Sequence, residues 1–389
     1  MKTFNIAING YGRIGQCVLR ALYSNAQRGP DGRPFRVVAI NELTDLETLT
    51  YLTRYDTTHG RFPLPVEHDD THLLIDGDRI LALNQPDPRL LPWAKLEVDL
   101  VLECSGSFSD RSRAEIHLQA GAKRLLFSQP ADADIDATIV FGFNHQNLQP
   151  KHRIASSASC TTNCLVPVLD LLHREFGIEQ GLTTTVHSAM NDQPVIDSNH
   201  RTNLRLSRSA LQSIIPIQTG LARGIDRLLP ELAGRFQCNH LRVPTTNVSL
   251  MDLSLQLSTP TTPKAVNQLL ERATLQGPLQ GLLGYTDEPH ASVDFNTDPR
   301  SGIVDGTQTR ISGDRLLKLI CWFDNEWGFA NRMLDVAQIW LQPDTEQFHT
   351  QHQTKSQSQS QSRTHSQPDS QPDIQTTEFS TINADRIIS

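Results

Sequence analysis

The sequence predicts a fold in which a mostly parallel α/β sheet precedes an α+β region with a mainly antiparallel sheet. Short apolar runs alternate with helix-like segments in the first part of the chain, as in parallel sheets built from strand–helix units. After about Thr183, the segment MDLSLQLS alternates apolar with polar residues, which is typical of a half-buried antiparallel strand. Beyond Gln342 the chain is dominated by polar residues, which predicts a disordered tail.

The first element is an apolar run that predicts a strand, and it is followed by a helix over Gln16–Ser24. Val18, Leu19 and Leu22 lie on one face of that helix, which is the spacing of a core-facing surface. Short apolar runs bounded by polar residues or glycine predict the strands of the parallel sheet. These runs are Phe4–Asn9, Val37–Ile40, Val98–Cys104, Leu125–Ser128 and Ile139–Phe141.

The later elements lead to a second sheet and a final helix. Ile154–Ser156 predicts a strand end, and a helix with a repeated apolar face begins at Cys160. The run LLKLICWF is followed by NEWGFANRMLDVAQIWL, which predicts the last helix. The tail over 343–389 contains QHQTKSQSQSQSRTHSQPDSQPD, and such a composition cannot bury enough apolar surface to offset the entropy of ordering. A functional tail is the alternative.

Charge and cysteine content exclude several classes of protein. The formal net charge is −8 and the pI about 5.9, so we expect no general attraction to nucleic acid or to an anionic membrane. The opening MKTFNIAINGYG has no long apolar run, and we expect neither a secretion signal nor a membrane span. The six cysteines are scattered, without the CxxC or His/Cys spacing of a metal site. We therefore expect no metal, and free thiols in a reducing cytoplasm.

The segment NGYGRIG contains Gly10, Gly12 and Gly15 in the pattern GxGxxG. It follows a predicted strand and opens a predicted helix, which is the context of a Rossmann dinucleotide site. Gly12 would let the backbone approach a pyrophosphate, and the helix N-terminus would supply N–H groups and partial positive charge. The alternative is an ordinary tight turn.

An acidic residue follows the second predicted strand, at Asn41-Glu42. The Glu42 carboxylate could accept hydrogen bonds from both ribose hydroxyls of NAD, and it would repel the 2′-phosphate of NADP. The interval from Gly15 exceeds the usual spacing of about 20 residues, because a predicted surface loop, Ala26–Pro34, lengthens it. The alternative is that Glu42 is a solvated loop end.

The stretch SSASCTTNC places Cys160 at a predicted helix N-terminus. There the helix dipole favours a thiolate, so we expect the pKa of Cys160 to fall below its usual value of about 8.5. Cys164 lies one turn further in and is better explained as a buried packing residue. A nucleophilic thiol needs a proton acceptor, and His187 ends the β-branched run TTTVH. An ordinary surface or core histidine is the alternative for His187.

SSASCTTNC, NGYGRIG and DNEWGFANRM together resemble the phosphorylating glyceraldehyde-3-phosphate dehydrogenase family, from Lys2 to about Leu341. The resemblance implies a Rossmann NAD-binding domain over 1–159, completed by 325–342, and a catalytic domain over 160–324. It also implies a homotetramer, with the segment around 183–209 at a subunit contact. Three further stretches resemble the corresponding stretches in those members of the family that oxidise D-erythrose 4-phosphate. They are AINEL, RYDTTHGRF and HSAMNDQ.

The resemblance also implies roles for individual residues. Cys160 is the expected nucleophile and His187 its base. The expected cofactor contacts are Gly10, Gly12, Arg13, Ile14, Gly15, Glu42 at the adenosine ribose and Asn325 at the nicotinamide amide. The expected substrate or phosphate contacts are Ser159, Thr161, Arg205, Thr219, Gly220 and Arg242, with Arg208 as the alternative to Arg205.

Several positions depart from the pattern of the family. Met190 stands where members that use glyceraldehyde 3-phosphate usually have Thr, Pro86 stands near the position of an expected adenine-side Arg, and Phe329 replaces a frequent Tyr. The Met190 position should weaken one anion site, which favours a different aldose phosphate and release of the product by water. The expected reaction is NAD-dependent oxidation of D-erythrose 4-phosphate to 4-phosphoerythronate, an early step towards pyridoxal 5′-phosphate. The alternatives are the phosphorylating triose phosphate reaction of glycolysis and a non-catalytic NAD-binding thiol redox sensor.

Overall fold

The computed structural model describes residues 3–24, 35–200 and 203–342. The predicted loop Ala26–Pro34 and the predicted disordered tail over 343–389 lie outside the described residues. Among the described residues, no helix is both long and apolar enough to cross a membrane.

The first part of the described chain forms a nine-stranded sheet in the order β10-β11-β9-β8-β1-β2-β7-β6-β5. All of its neighbouring strands are parallel except at one edge, where β5, β6 and β7 are antiparallel. A short antiparallel ribbon, β3 with β4, lies outside this sheet. The strands are β1 (Phe4–Asn9), β2 (Phe35–Asn41), β3 (Tyr55–Asp56), β4 (Gly60–Arg61), β5 (Val66–His68), β6 (His72–Ile75), β7 (Asp78–Leu83), β8 (Leu100–Glu103), β9 (Leu125–Phe127), β10 (Ala137–Thr138) and β11 (Ile154–Ser156).

The second part forms an eight-stranded sheet whose main path is β13-β14-β12-β15-β19-β17-β16, with β18 paired to β19. Its pairs are antiparallel except β12 with β14 and β16 with β17. The predicted fold class, with a mostly parallel sheet followed by a mainly antiparallel one, is therefore confirmed. The strands are β12 (Ile178–His187), β13 (Ile215–Ile217), β14 (Phe236–Arg242), β15 (Ser249–Leu257), β16 (Leu283–Thr286), β17 (Gly302–Asp305), β18 (Arg310–Ser312) and β19 (Leu316–Phe323).

The helices cover both sheets. The helix predicted at Cys160 begins at that residue, whereas the helix predicted over Gln16–Ser24 begins earlier, at Arg13. The helices are α1 (Arg13–Tyr23), α2 (Leu46–Arg54), α3 (Arg111–Gln119), α4 (Cys160–Phe176), α5 (Leu221–Leu228), α6 (Pro263–Leu275) and α7 (Trp327–Leu341).

The prediction of a strand over Ile139–Phe141 is wrong, because strand β10 ends at Thr138, directly before this run. The side chain of Asn144 closes a turn there. Its Oδ1 accepts the N–H of Val140 at 2.7 Å, and its Nδ2 donates to the carbonyl of Thr138 at 3.0 Å. The three apolar residues are buried by packing at this turn rather than by strand pairing.

The two sheets pack against separate apolar clusters, and the first sheet has a further cluster on its other face that includes Ala7 and Val101. The core of the first sheet includes Ile6 and Ile8 of β1 and also Met333 and Trp340 of α7, although α7 is the last helix described. The core of the second sheet lies between α4 and the apolar faces of β15 and β19. The described residues together form one compact unit, so the division into 1–159 with 325–342 and 160–324 stays a prediction.

Candidate active site

The turn before helix α4 holds Cys160 at the first position of the helix. Ser159 is the N-cap, and its Oγ accepts the N–H of Thr162 at 3.1 Å, which satisfies one of the unpaired donors of the first turn. Ala158 has a positive φ of 59°, a conformation that is uncommon outside glycine. The Asn163 side chain reaches back from the helix and donates to the carbonyls of Ser157 and Ser159. This small, hydrogen-bonded turn fixes where the sulfur of Cys160 lies.

Two strands of the second sheet bring the predicted base to this sulfur. His187 is the last residue of β12, and its register partner in the parallel strand β14 is Arg242. Nε2 of His187 lies 3.8 Å from Sγ of Cys160. Nδ1 of His187 lies 2.8 Å from the carbonyl of Ser188 and 2.8 Å from Nη1 of Arg242. The structure therefore brings together the predicted nucleophile, its base and one predicted phosphate ligand.

The two contacts of Nδ1 favour different tautomers of the His187 ring. An arginine nitrogen can only donate, so a ring that accepts at Nδ1 from Arg242 carries its proton on Nε2. A ring that donates from Nδ1 to Ser188 leaves Nε2 able to accept a proton from Cys160. Only the second tautomer suits a base for the thiol.

The pKa of the Cys160 thiol differs from the value expected from the sequence. Burial raises the pKa of the Cys160 thiol to about 11, while the N–H of Thr161 and the Arg242 cation lower it to a smaller extent. Burial also lowers the pKa of His187 to about 3, and Arg242 adds to that shift. The prediction of a thiol pKa below its usual value is therefore wrong for this site, because burial outweighs the helix N-terminus. Both groups are uncharged at neutral pH.

A cavity of about 750 Å³ opens above Cys160 and His187. Five of the six predicted substrate contacts line it. They are Ser159, Thr161, Thr219, Gly220 and Arg242.

The sixth predicted contact, Arg205, does not line this cavity. It is exposed, and its Nη1 donates to the carbonyl of Pro216 at 3.4 Å. The alternative, Arg208, pairs instead with Asp197 at 2.8 Å. Arg223, which the sequence reasoning missed, does line the cavity. Its signal in the sequence was a basic residue in the first turn of a helix that opens with the predicted contacts Thr219 and Gly220.

The cavity also contains Met190 and His240. Met190 leaves 46% of its surface exposed. His240 was missed, although it stands two residues before Arg242 on the same strand. Residues i and i+2 of a strand share one face of the sheet, and this was the signal that could have found it.

A second cavity, of about 520 Å³, lies at the carboxyl ends of the parallel strands and is lined by Gly10, Gly12 and Glu42. Gly10 has a φ of +89°, and a Cβ there would lie 2.3 Å from the backbone nitrogen of Ser105. A Cβ on Gly15 would lie 2.3 Å from the carbonyl oxygen of Gly10. By contrast, a Cβ on Gly12 would meet nothing within 4 Å, so its backbone is open to a ligand. The loop therefore fits a pyrophosphate at the start of α1.

Glu42 turns its carboxylate towards this loop. Oε2 accepts the N–H of Tyr11, and Oε1 accepts the N–H of Leu43 at 2.9 Å. These contacts hold the carboxylate at the edge of the cavity, beside Pro86, which also lines it. A carboxylate in this position fits the ribose hydroxyls of a dinucleotide.

Arg13 and Ile14 do not line either of these two cavities. The guanidinium of Arg13 pairs with Asp56 at 2.8 Å and with Glu326 at 2.6 Å. The same Glu326 accepts from Nε2 of His59 at 2.9 Å. The Arg13 side chain thus links α1 to the N-cap of α7, while Ile14 packs against the first core.

Asn325 is buried beside the second sheet. Its Oδ1 accepts from the hydroxyls of Ser188 at 3.0 Å and Ser249 at 2.8 Å. In this orientation the Nδ2 group of Asn325 can donate hydrogen bonds to an acceptor on a ligand, such as a carboxamide oxygen. Ser188 follows His187 directly, so Asn325 lies close to the predicted base.

Two family models match the chain. The model "Glyceraldehyde 3-phosphate dehydrogenase, NAD binding domain" matches residues 4–111, which contain the glycine loop and Glu42. The model "Glyceraldehyde 3-phosphate dehydrogenase, C-terminal domain" matches residues 159–325, which contain Cys160 and His187. The two matches confirm the resemblance to this family and identify NAD as the cofactor. The chain therefore belongs to the glyceraldehyde-3-phosphate dehydrogenase family and is an NAD-dependent dehydrogenase.

Proposed function

We propose that this dehydrogenase oxidises D-erythrose 4-phosphate to 4-phosphoerythronate, with Cys160 as the nucleophile and His187 as the general base. The observation that carries the proposal is the 3.8 Å approach of Sγ of Cys160 to Nε2 of His187 inside a cavity lined by arginines. A thiol beside a buried imidazole can attack an aldehyde and form a covalent intermediate.

The reaction begins when Sγ of Cys160 bonds to the aldehyde carbon. The thiol proton moves through Nε2 of His187 to the carbonyl oxygen, which gives a thiohemiacetal. Nε2 then removes the hydroxyl proton of this intermediate as its C–H bond breaks. Bound NAD supplies the hydride acceptor for that step. The product on Cys160 is a thioester.

The start of helix α4 stabilises the negative charge that develops on the substrate oxygen. The N–H of Cys160 lies at the N-terminus of the helix, where backbone donors have no partner within the helix. Such donors are most effective in a water-poor site. Because burial raises the pKa of the thiol to about 11, proton transfer to His187 accompanies the attack rather than preceding it.

The substrate phosphate is held by positive and donor groups of the cavity. Arg223, Arg242 and Thr219 all line it, and guanidinium groups bind phosphate through paired hydrogen bonds. These groups supply locally the positive charge that the acidic chain lacks as a whole. We assign the phosphate contact first expected of Arg205 to Arg223.

Water completes the reaction by attacking the thioester carbon. The C–S bond breaks, the acid leaves and the Cys160 thiol is restored. Met190 supports water over inorganic phosphate, because its thioether side chain offers no hydroxyl donor to an anion at this wall of the cavity. The product would then feed the early part of pyridoxal 5′-phosphate synthesis.

A second candidate is phosphorylating oxidation of glyceraldehyde 3-phosphate. Three arginines line the cavity. The guanidinium of Arg227 is bonded to the carbonyls of Ala131 and Asp132, whereas Arg223 and Arg242 could hold two anions, which favours this reaction. Product analysis with each aldose phosphate and NAD, with and without inorganic phosphate, separates the two. Release of 4-phosphoerythronate without phosphate supports our proposal, whereas phosphate-dependent turnover of the triose overturns it.

We also propose that the enzyme is a cytoplasmic homotetramer. Exposed apolar side chains between His187 and β13 support this assembly, because contact with another copy would bury their surface. Among them are Val195, Ile196, Leu204, Leu211 and Ile214. Sedimentation equilibrium of the purified protein tests the tetramer, and a monomer would contradict it.

A further inference from the structure

His240 lines the cavity that also contains Cys160 and His187. It lies on strand β14, between Ile217 of β13 and Thr185 of β12. Only 9% of its surface is exposed. The residue therefore lies deep in the site without belonging to the catalytic pair.

The imidazole of His240 has a free polar atom. Among the described residues, its buried Nε2 has no hydrogen-bond partner. The ring stacks on that of His187, with the centroids 5.1 Å apart and the planes 25° from parallel. Buried polar atoms are nearly always paired, so an unpaired nitrogen on a residue that lines the cavity points to a group that a bound ligand satisfies.

The charge of this ring indicates which ligand group fits it. Burial lowers the pKa of His240 to about 3, and the Arg242 cation adds to the shift. A neutral imidazole has one nitrogen that donates and one that accepts. A hydroxyl, which can take either role, suits Nε2 in both tautomers. The neighbouring guanidinium of Arg242 is the better partner for phosphate.

We propose that His240 contacts the substrate and determines specificity, with Nε2 hydrogen-bonded to the hydroxyl on carbon 2 or carbon 3 of the aldose phosphate. With carbon 1 bonded to Cys160 and its oxygen at His187, carbon 2 or carbon 3 would lie nearest the ring that stacks on His187. The inference rests on the proposed function, because it takes an aldose phosphate as the substrate.

The expected effect is discrimination between substrates rather than a general gain in rate. A substrate without the hydroxyl leaves Nε2 buried and unpaired, which carries the cost of an unsatisfied polar group. Sites built to bind a substrate hydroxyl discriminate strongly against analogues that lack it. We expect a difference of about 10- to 100-fold in kcat/KM for one buried hydrogen bond.

The test compares D-erythrose 4-phosphate with its 2-deoxy and 3-deoxy analogues in the wild type and in His240→Phe. Phenylalanine keeps an aromatic ring against His187 but has no nitrogen. The wild type should have a higher kcat/KM for D-erythrose 4-phosphate than for one of the two analogues. His240→Phe should lose that preference, because its kcat/KM should fall for D-erythrose 4-phosphate and stay the same for that analogue. Asn239→Ala, at the exposed neighbouring position, should behave as the wild type.

Equal losses on all three substrates would overturn the proposal, because they would indicate a structural effect or an effect through His187. Unchanged discrimination in His240→Phe would overturn it as well. His240→Gln, which restores a polar atom, should recover part of the preference.

The substrate preference of the wild type tests the proposed function independently of His240. A wild type that prefers glyceraldehyde 3-phosphate removes erythrose 4-phosphate as the substrate. His240 is then tested with the triose phosphate and its 2-deoxy analogue. Calorimetric titration of the same ligands into Cys160→Ser gives the comparison without turnover, and equal affinities for hydroxylated and deoxy ligands would overturn the inference.

Discussion

The sulfur of Cys160 lies 3.8 Å from Nε2 of His187, although the two residues stand at the ends of different elements. Cys160 opens helix α4, and His187 closes the strand β12 that follows the helix. The contact exists because β12 returns along α4 and ends level with its first turn. The proposed nucleophile and its proposed base are therefore positioned by a helix and a strand rather than by loops.

We expect His187→Asn to slow NADH formation by about 10²- to 10⁴-fold, the usual contribution of a general base. Cys160→Ser should abolish it, because a serine hydroxyl is a far weaker nucleophile than a thiol. Stopped-flow measurement of the first turnover reports the acylation step directly. Normal turnover in either variant would mean that the pair is not catalytic, as a redox sensor would require.

Arg242 should contribute to the acid limb of the pH profile. Burial lowers the pKa of His187 most, and the guanidinium of Arg242, 2.8 Å from Nδ1, adds to that shift. Since His187 must be unprotonated to accept a proton, removing the cation raises this pKa and moves the acid limb to higher pH. We expect this shift in the kcat/KM profile of Arg242→Gln.

Arg242→Lys is the matched control for charge, and its acid limb should stay nearer that of the wild type. If Arg242→Gln lost only affinity for the substrate, with the acid limb unmoved, then the arginine would act on phosphate alone.

Glu42 should exclude NADP. We expect Glu42→Gln to reduce the preference for NAD over NADP, because the loss of the carboxylate removes repulsion of the 2′-phosphate. The ratio of kcat/KM for the two cofactors measures the effect. Asp45→Asn changes a nearby exposed carboxylate that caps α2, and it should leave the ratio as it is. A ratio unchanged in both variants would place the ribose elsewhere.

Arg223 and Arg205 form a second matched pair. We expect Arg223→Ala to raise KM for the aldose phosphate about 10- to 100-fold, as for a lost charge-assisted hydrogen bond. Arg205→Ala should change KM less than about threefold, because Arg205 lies outside the cavity and surface changes are usually small. Steady-state kinetics at saturating NAD separates the two. The reverse order would restore the assignment made from sequence.

Much of this fold could be predicted from local signals in the sequence. The loop of Gly10, Gly12 and Gly15 and the helix start at Cys160 depend on nearest neighbours, and both were placed correctly. The apolar run Ile139–Phe141 was misread because burial alone cannot distinguish a strand from a turn closed by an asparagine. Periodicity carries no information about that side-chain contact.

The site could be predicted less well, because its polar contacts join distant parts of the chain. The pairing of Arg13 with Asp56 and Glu326 depends on three segments. The thiol pKa was misjudged for the same reason: the helix N-terminus is visible in the sequence, whereas the burial of Cys160 is a property of the assembled fold. Arg223 and His240 enter the cavity only once β13, β14 and α5 are assembled around it.

The buried histidines should make the fold sensitive to acid. Burial lowers the pKa of His117 to about 4, where Trp93 donates to its Nδ1 at 3.1 Å. In the unfolded chain the pKa of histidine is near 6.5. Between these values the unfolded state binds a proton that the folded state does not, so the free energy of unfolding falls as the pH falls.

We expect this histidine alone to cost about 2 kcal/mol between pH 7.5 and pH 5. His117→Gln keeps an acceptor for Trp93 but has no group that titrates in this range. Between pH 7.5 and pH 5 the free energy of unfolding of this variant should therefore fall by about 2 kcal/mol less than that of the wild type. Urea unfolding at the two pH values measures the difference. Glu103, whose pKa burial raises, acts in the opposite direction, and its Oε2 lies 3.8 Å from Nε2 of His117. Equal pH dependence in the two proteins would show that His117 is protonated in the folded state, against the burial of its ring.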